Sequence, residues 1–200
     1  MDEVTVLVQG YARRIKNGWV ASSAAILVRS NGKTIIVDPG CNRQRLMGAL
    51  KRERLKTGDV DFVFLTHSHF DHSMLMGVFE NAKVIGCEEI FDCDMQVSHR
   101  GTVPGTKLRI IQTPGHTKDH CSLLAKTEKG VCAIAGDVFW WQEGESQSIS
   151  ISKPDAAHPS DIKKLAKSRK MLLERADWII PGHGRPFRTR RKIQGKRKKE

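Results

Sequence analysis

Thr66-His67-Ser68-His69-Phe70-Asp71-His72 gathers three imidazoles and a carboxylate into six residues. These are nitrogen and oxygen donors of borderline-to-hard character, a set that takes zinc and also suits iron or manganese. At this chain's composition H-x-H-x-D-H arises by chance in about one sequence of this length in a thousand, so a solvated polar loop accounts for it poorly. The segment follows Asp61–Thr66, a β-branched and aromatic run that reads as a strand. From a strand end, His67 and His69 can project toward one point. The turn then carries Asp71 and His72 to a neighbouring one.

One cluster cannot complete two coordination spheres, so further ligands are expected at other strand-to-loop junctions. His116 follows Thr113-Pro114-Gly115, Asp137 follows Ala135-Gly136, and His183 sits within Pro181-Gly182-His183-Gly184. Each has glycine beside it, which permits close backbone approach and unusual dihedrals.

The rest of the chain supplies many short strands and few helices. Val4–Gln9, Ala25–Val28, Thr34–Asp38, Lys83–Gly86, Leu108–Thr113, Cys121–Ala125 and Val131–Gly136 read as strands, with Asn31-Gly32 as a hairpin turn. Leu46–Leu55 reads as a helix. A second helix, capped by Ser160, would bury Ile162, Leu165, Ala166, Leu172, Leu173 and Ala176. Trp178–Ile180 reads as a last strand stopped by Pro181-Gly182. The pattern fits an α/β (α+β) fold of two packed sheets flanked by helices. We assign residues 1–187 to one domain and 188–200 to a basic, mobile tail.

The ordered set Asp38, His67-x-His69-x-Asp71-His72, His116, Asp137 and His183 resembles the metallo-β-lactamase superfamily of dinuclear metallohydrolases. The likeness spans about residues 4 to 188. Val8-Gln9-Gly10-Tyr11, Ala135-Gly136-Asp137-Val138-Phe139 and Pro181–Phe187 resemble one narrower branch, in which an animal lineage is linked to RNA processing. The resemblance implies an αββα sandwich with two divalent metal ions, zinc foremost, at one edge. Carried over by position, His67, His69 and His116 would hold the first ion, and Asp71, His72 and His183 the second. Asp137 would bridge them, and Asp38 would orient the metal-binding loop from behind. Asp71 and Asp137 would also orient a metal-bridging hydroxide, the nucleophile such a pair of ions generates. An aspartate at 137 matches the family's thioesterases and nucleases, whereas its dedicated zinc β-lactamases carry cysteine or serine there. The sequence identifies no proton donor for the leaving group.

Charge bears on the substrate. The chain carries +12, of which Arg185–Glu200, with nine Lys/Arg and one acid, holds +8. Such a segment can neutralise phosphates without reading sequence. The leading expectation is therefore cleavage of phosphodiester bonds in RNA or single-stranded DNA, with nucleic acid as partner. The alternative is a small acyl substrate, a thioester or lactone, with promiscuous lactam turnover. No apolar run approaches the ~18–20 residues of a membrane span. Met1-Asp2-Glu3 has no basic start before an apolar run, and the five cysteines form no C-x-x-C pair, which together suggest a cytoplasmic protein. His120 reads as structural, His99 and His158 as loop residues, and Cys41 as a small buried thiol. Trp140-Trp141 reads chiefly as packing, with one indole able to wall the site.

Overall fold

The computed structural model describes residues 1–155 and 161–189. The strands and helices, in order, are β1 (Glu3–Val8), β2 (Tyr11–Ile15), β3 (Gly18–Ser22), β4 (Ala25–Ser30), β5 (Lys33–Val37), α1 (Arg43–Arg52), β6 (Phe62–Phe64) and α2 (Phe70–Ser73). They continue with β7 (Lys83–Ile85), β8 (Glu89–Asp92), β9 (Met95–Ser98), β10 (Arg109–Gln112), β11 (Cys121–Thr127), β12 (Gly130–Trp140), α3 (Ile162–Arg175), β13 (Trp178–His183) and β14 (Phe187–Arg188).

One sheet has the order β1-β4-β5-β6-β7-β8-β9, a second β10-β11-β12-β13-β14, and β2-β3 form a separate hairpin. Alternation along each strand sorts the apolar residues into layers. Ile26, Val28, Ile35, Val37, Phe62 and Phe64 meet Leu108, Ile110, Leu123, Ala125 and Ile134 between the two large sheets. The opposite face of the first sheet, with Leu27, Ile36 and Val63, packs on Leu46, Ala49 and Leu50 of α1. The opposite face of the second, with Ala133, Ala135 and Ile179, packs on Leu165 and Leu172 of α3. Both faces of each sheet's inner strands are therefore covered, which is why those strands read as continuous apolar runs. The result is the four-layer αββα sandwich.

β5-β6-β7 and β12-β13 run parallel, so their C-terminal ends line up along one edge of the sandwich. Asn31 and Gly32, at φ 49° and 75°, make the tight turn between β4 and β5, as the Asn-Gly pair predicts.

Several local expectations need correction. β13 is not stopped at Pro181: it runs on to His183, with Gly136↔Pro181 and Trp140↔His183 as partners on β12. Register shifts there open the ladder where proline has no N–H to give. α3 is capped by Asp161, whose side chain accepts from the Lys164 N–H, while Ser160 lies outside the described residues, as does His158. Ile162 is exposed, and Ser168 and Arg169 take buried positions instead. At the chain's end, β14 pairs with β13 and Thr189 bonds back to Asp177 and Ala176. Tail residues 190–200 lie outside the described residues.

Candidate metal centre

The clustered side chains come from strands of the second sheet and from the loops and the short helix at the same edge. β6 runs through Leu65 and Thr66 into His67. Then α2, a single helical turn, rotates Asp71 and His72 away from His67 and His69. Across the sandwich edge, His116 follows β10, Asp137 lies within β12 and His183 ends β13. Backbone bonds tie the two sides together: Cys121 N–H to the Thr66 carbonyl at 2.9 Å, Ala24 N–H to Gly182 at 2.7 Å, and Ser23 N–H to Asp71 at 2.9 Å.

Ligand atoms of His67, His69, His116 and Asp137 lie within 4.8 Å of one another, and so do those of Asp71, His72 and His183. The His69 Nδ1 is 2.9 Å from His67 Nε2 and 3.1 Å from His116 Nε2. Asp137 reaches both groups. Its Oδ2 is 3.4 Å from His116 Nε2, while its Oδ1 is 3.3 Å from His72 Nε2 and 3.6 Å from His183 Nε2. Asp71 Oδ2 stands 3.2 Å from His183 Nε2.

The outward-facing nitrogens assign the tautomers. His183 Nδ1–H donates to the Tyr11 carbonyl at 3.0 Å, and His72 Nδ1–H to Asp38 Oδ2 at 2.8 Å. Thr66 Oγ1 spends its proton on Asp38 Oδ2 at 2.6 Å, so it accepts from His67 Nδ1–H. Asp38 Oδ1 also takes the Thr66 N–H at 2.8 Å, which places this carboxylate behind both the His67 loop and His72. Asp38 itself sits at φ +46°, a conformation whose cost is met by these bonds. His116 Nδ1–H donates to Asp155. Four histidines thus turn their Nε2 atoms toward the cluster.

Such an arrangement fits a cation. His69 Nδ1 carries at most one proton, yet it faces two bare nitrogens. His72 Nε2 and Asp137 Oδ1 are buried 3.3 Å apart without an aligned hydrogen bond, a costly state unless a positive charge stands beside them. The same demand shows in the titration. Burial alone would lower the His183 pKa, but Asp137 and Asp71 overcome it and raise it to about 9. Burial is likewise outweighed at His72, which Asp137 and Asp38 raise well above its usual value. The Asp137 carboxyl is held well below the usual range by His183 and His72 in spite of burial. His67 goes the other way, lowered by burial and by its neighbour His72.

His120 is structural. Its Nε2 accepts the Asp137 N–H at 3.2 Å, its Nδ1–H donates to Thr113, and burial pushes its pKa down to about 3. His99 bonds the Gly86 carbonyl away from the cluster, and half-buried Cys41 bonds the Ala21 carbonyl. Beside the cluster opens a cleft of about 390 Å³ whose apolar walls are Ala12, Trp19, Ala21, Phe70 and Trp140. Trp140 is thus a wall of the site, while Trp141 packs on Phe139 and Phe187.

A family model described as the metallo-beta-lactamase superfamily matches residues 18–86. Metallo-beta-lactamase domain-containing protein 1 of Xenopus laevis is 31% identical over 196 residues, which span 93% of this chain and 81% of that relative. The chain belongs to the metallo-β-lactamase superfamily. An N-acyl homoserine lactonase of Bacillus cereus is 27% identical over 70% of this chain and 62% of its own length. A metallo-β-lactamase-like protein of Thermotoga maritima superposes with a TM-score of 0.68 at 18% identity, covering 94% of this chain and 99% of the other.

Metallo-β-lactamase superfamily members are metal-dependent hydrolases, and the His/Asp cluster is where this chain can bind divalent metal. The fold brings together every ligand candidate named from the sequence, and it adds two residues that the sequence did not mark. Thr66 and Asp155 orient histidines through single hydrogen bonds, and neither type nor spacing distinguishes them from ordinary loop residues.

Proposed function

We propose that this chain is a dinuclear zinc hydrolase that cleaves phosphodiester bonds of RNA or single-stranded DNA. The observation that carries the dinuclear reading is Asp137, which turns one carboxylate oxygen toward His116 and the other toward His72 and His183. His67, His69 and His116 would hold one ion and Asp71, His72 and His183 the other, with Asp137 between them. When bound, the ions supply an activated water and neutralise charge on the scissile group.

The chain's own contribution is positional. The Nδ1–H bonds to Thr66, Asp38, Tyr11 and Asp155 fix ring orientation, and His120 fixes the backbone of Asp137. Asp71 and Asp137 accept hydrogen bonds from whatever nucleophile stands between them and the substrate. Support for nucleic acid comes from three features. Trp19 and Phe70 expose aromatic faces at the cleft, Phe70 at 76% exposure, and unpaired bases stack on such faces. Arg13, Arg14 and Lys16 stand exposed on the adjoining β2–β3 hairpin. Residues 190–200 add seven Lys/Arg to the sequence.

The apolar cleft wall and the Bacillus cereus lactonase favour a second reading, hydrolysis of a thioester or lactone. End-labelled single-stranded RNA separates them. Zinc-loaded protein should cleave it, and a chelated sample and Asp71→Ala should not. Intact RNA beside turnover of a lactone panel would overturn the nuclease reading in favour of the second.

A further inference from the structure

Three of the outward histidine bonds end on residues next to the cluster or on a neighbouring strand. The fourth does not. His116 donates to Asp155, 39 residues further on, in the segment that joins β12 to α3. The Asp155 side chain is fully buried, and its second oxygen accepts from Trp140 Nε1–H at 3.2 Å. Both oxygens are engaged, and Asp155 is absent from the cleft lining, so it is placed to orient and not to meet substrate.

An irregular segment has no ladder to hold a buried carboxylate in place. Arg169 of α3, 3% exposed, supplies the hold. Its Nε–H donates to the Val138 carbonyl at 2.9 Å, and one terminal nitrogen donates to the carbonyls of Ile151 at 3.2 Å and Lys153 at 2.5 Å. It therefore grips β12 one residue past Asp137 and the segment two residues before Asp155. The same helix steadies His116 from the other side. Ser168 donates to the Pro114 carbonyl at 2.7 Å, Asp161 N–H to Gly115 at 2.9 Å, and Gly115 lies so close that an added Cβ would come within 2.3 Å of Leu165 N.

We propose that Asp155 is a positioning residue for His116, held in register by Arg169, so that α3 sets the aim of the His116 nitrogen at the metal centre. The proposal rests on the dinuclear reading above. A carboxylate behind a ligating imidazole fixes its tautomer and raises its basicity, and losing such a partner typically lowers metal affinity about 10–100-fold.

The test uses the full chain and two readouts. Imidazole nitrogen shifts of the metal-free protein should show the His116 proton on Nδ1 in the wild type and in Asp155→Asn, whose amide oxygen still accepts. In Asp155→Ala that preference should be lost. Zinc titration should then show about a 10–100-fold weaker affinity for one of two ions in Asp155→Ala, with most of it restored in Asp155→Asn. Melting of the metal-free variants separates this from general damage, since a purely structural role would move both variants' stability without a selective loss at one ion. Wild-type affinity for both ions in Asp155→Ala would overturn the proposal. If Asp155→Ala does not fold, a His116 proton on Nε2 in the wild type or in Asp155→Asn overturns it equally. Uptake of fewer than two ions by the wild type would instead sink the dinuclear reading, and the His116 tautomer would still judge the role of Asp155.

Discussion

Imidazole nitrogens gathered with carboxylates within 4.8 Å give the cluster a net pull on positive charge, and this has a measurable sign. His183, at about 9 in the folded chain against an ordinary 6.5, binds its proton more tightly folded than unfolded. Its stabilisation is complete below about pH 6.5 and is lost as pH rises through about 9. His67 and His120 are shifted down, so they act below pH 6.5, outside that window. The metal-free protein should therefore melt at falling temperature between pH 6.5 and 9. A divalent ion replaces the proton, so zinc affinity should climb over the same range. Thermal melts with and without chelator check both, and a metal-free midpoint that rises with pH would contradict the assignment. A second residue-scale expectation concerns Gly182, where an added Cβ would fall 1.8 Å from Asp137 Oδ1. Gly182→Ala should displace that carboxylate, cost about 1–3 kcal/mol by overpacking and lower the bound metal measured after dialysis. The ligands were legible because histidine is scarce and its spacing informative. Asp155 was not, because one aspartate in a polar segment looks like any other until the chain folds back 39 residues to His116.

The elements differ in legibility for a related reason. β4, β5 and β12 are buried on both faces, so unbroken apolar runs announce them. The β2–β3 and β8–β9 hairpins are largely exposed, and Tyr11–Ile15 with two arginines or Met95–Ser98 with no buried residue carries no such signal. β13 misled because proline and glycine usually end strands, yet here both lie on a ladder whose bulges make room for them. In α3 the periodicity identified Leu165 and Leu172 but not Arg169, since a buried guanidinium bonded to carbonyls looks, in sequence, like one more surface cation. Leu172 is fully buried against the second sheet. Leu172→Ala should cost about 2–5 kcal/mol in urea unfolding. It stands one helical turn from Arg169 and belongs to the apolar layer between α3 and the second sheet, so metal stoichiometry should stay at the wild-type value. A loss of metal without a loss of stability would mean that α3 acts on the site in some other way than through Arg169 and Ser168.

At the scale of the whole molecule, charge and chemistry occupy different places. The cluster and its cleft carry histidines, aspartates and aromatic walls, and among the described residues no Lys or Arg lines the cleft. The basicity lies outside it, on the β2–β3 hairpin and above all in the final residues of the sequence. If nucleic acid is the substrate, affinity and catalysis are therefore separable. Removing residues 190–200 takes away seven Lys/Arg and leaves every cluster residue in place. Each phosphate neutralised on a single strand contributes about 0.7 to the slope of log affinity against log salt. Full engagement of the seven would make the truncated slope shallower by about 5. Single-stranded RNA binding measured from low to moderate salt should show that change together with weaker binding at low salt. Turnover of a small phosphodiester, which carries a single charge, should be unaltered. An unchanged salt slope would transfer nucleic-acid affinity to the hairpin cations, and double substitution of Arg13 and Arg14 would then have to produce the loss.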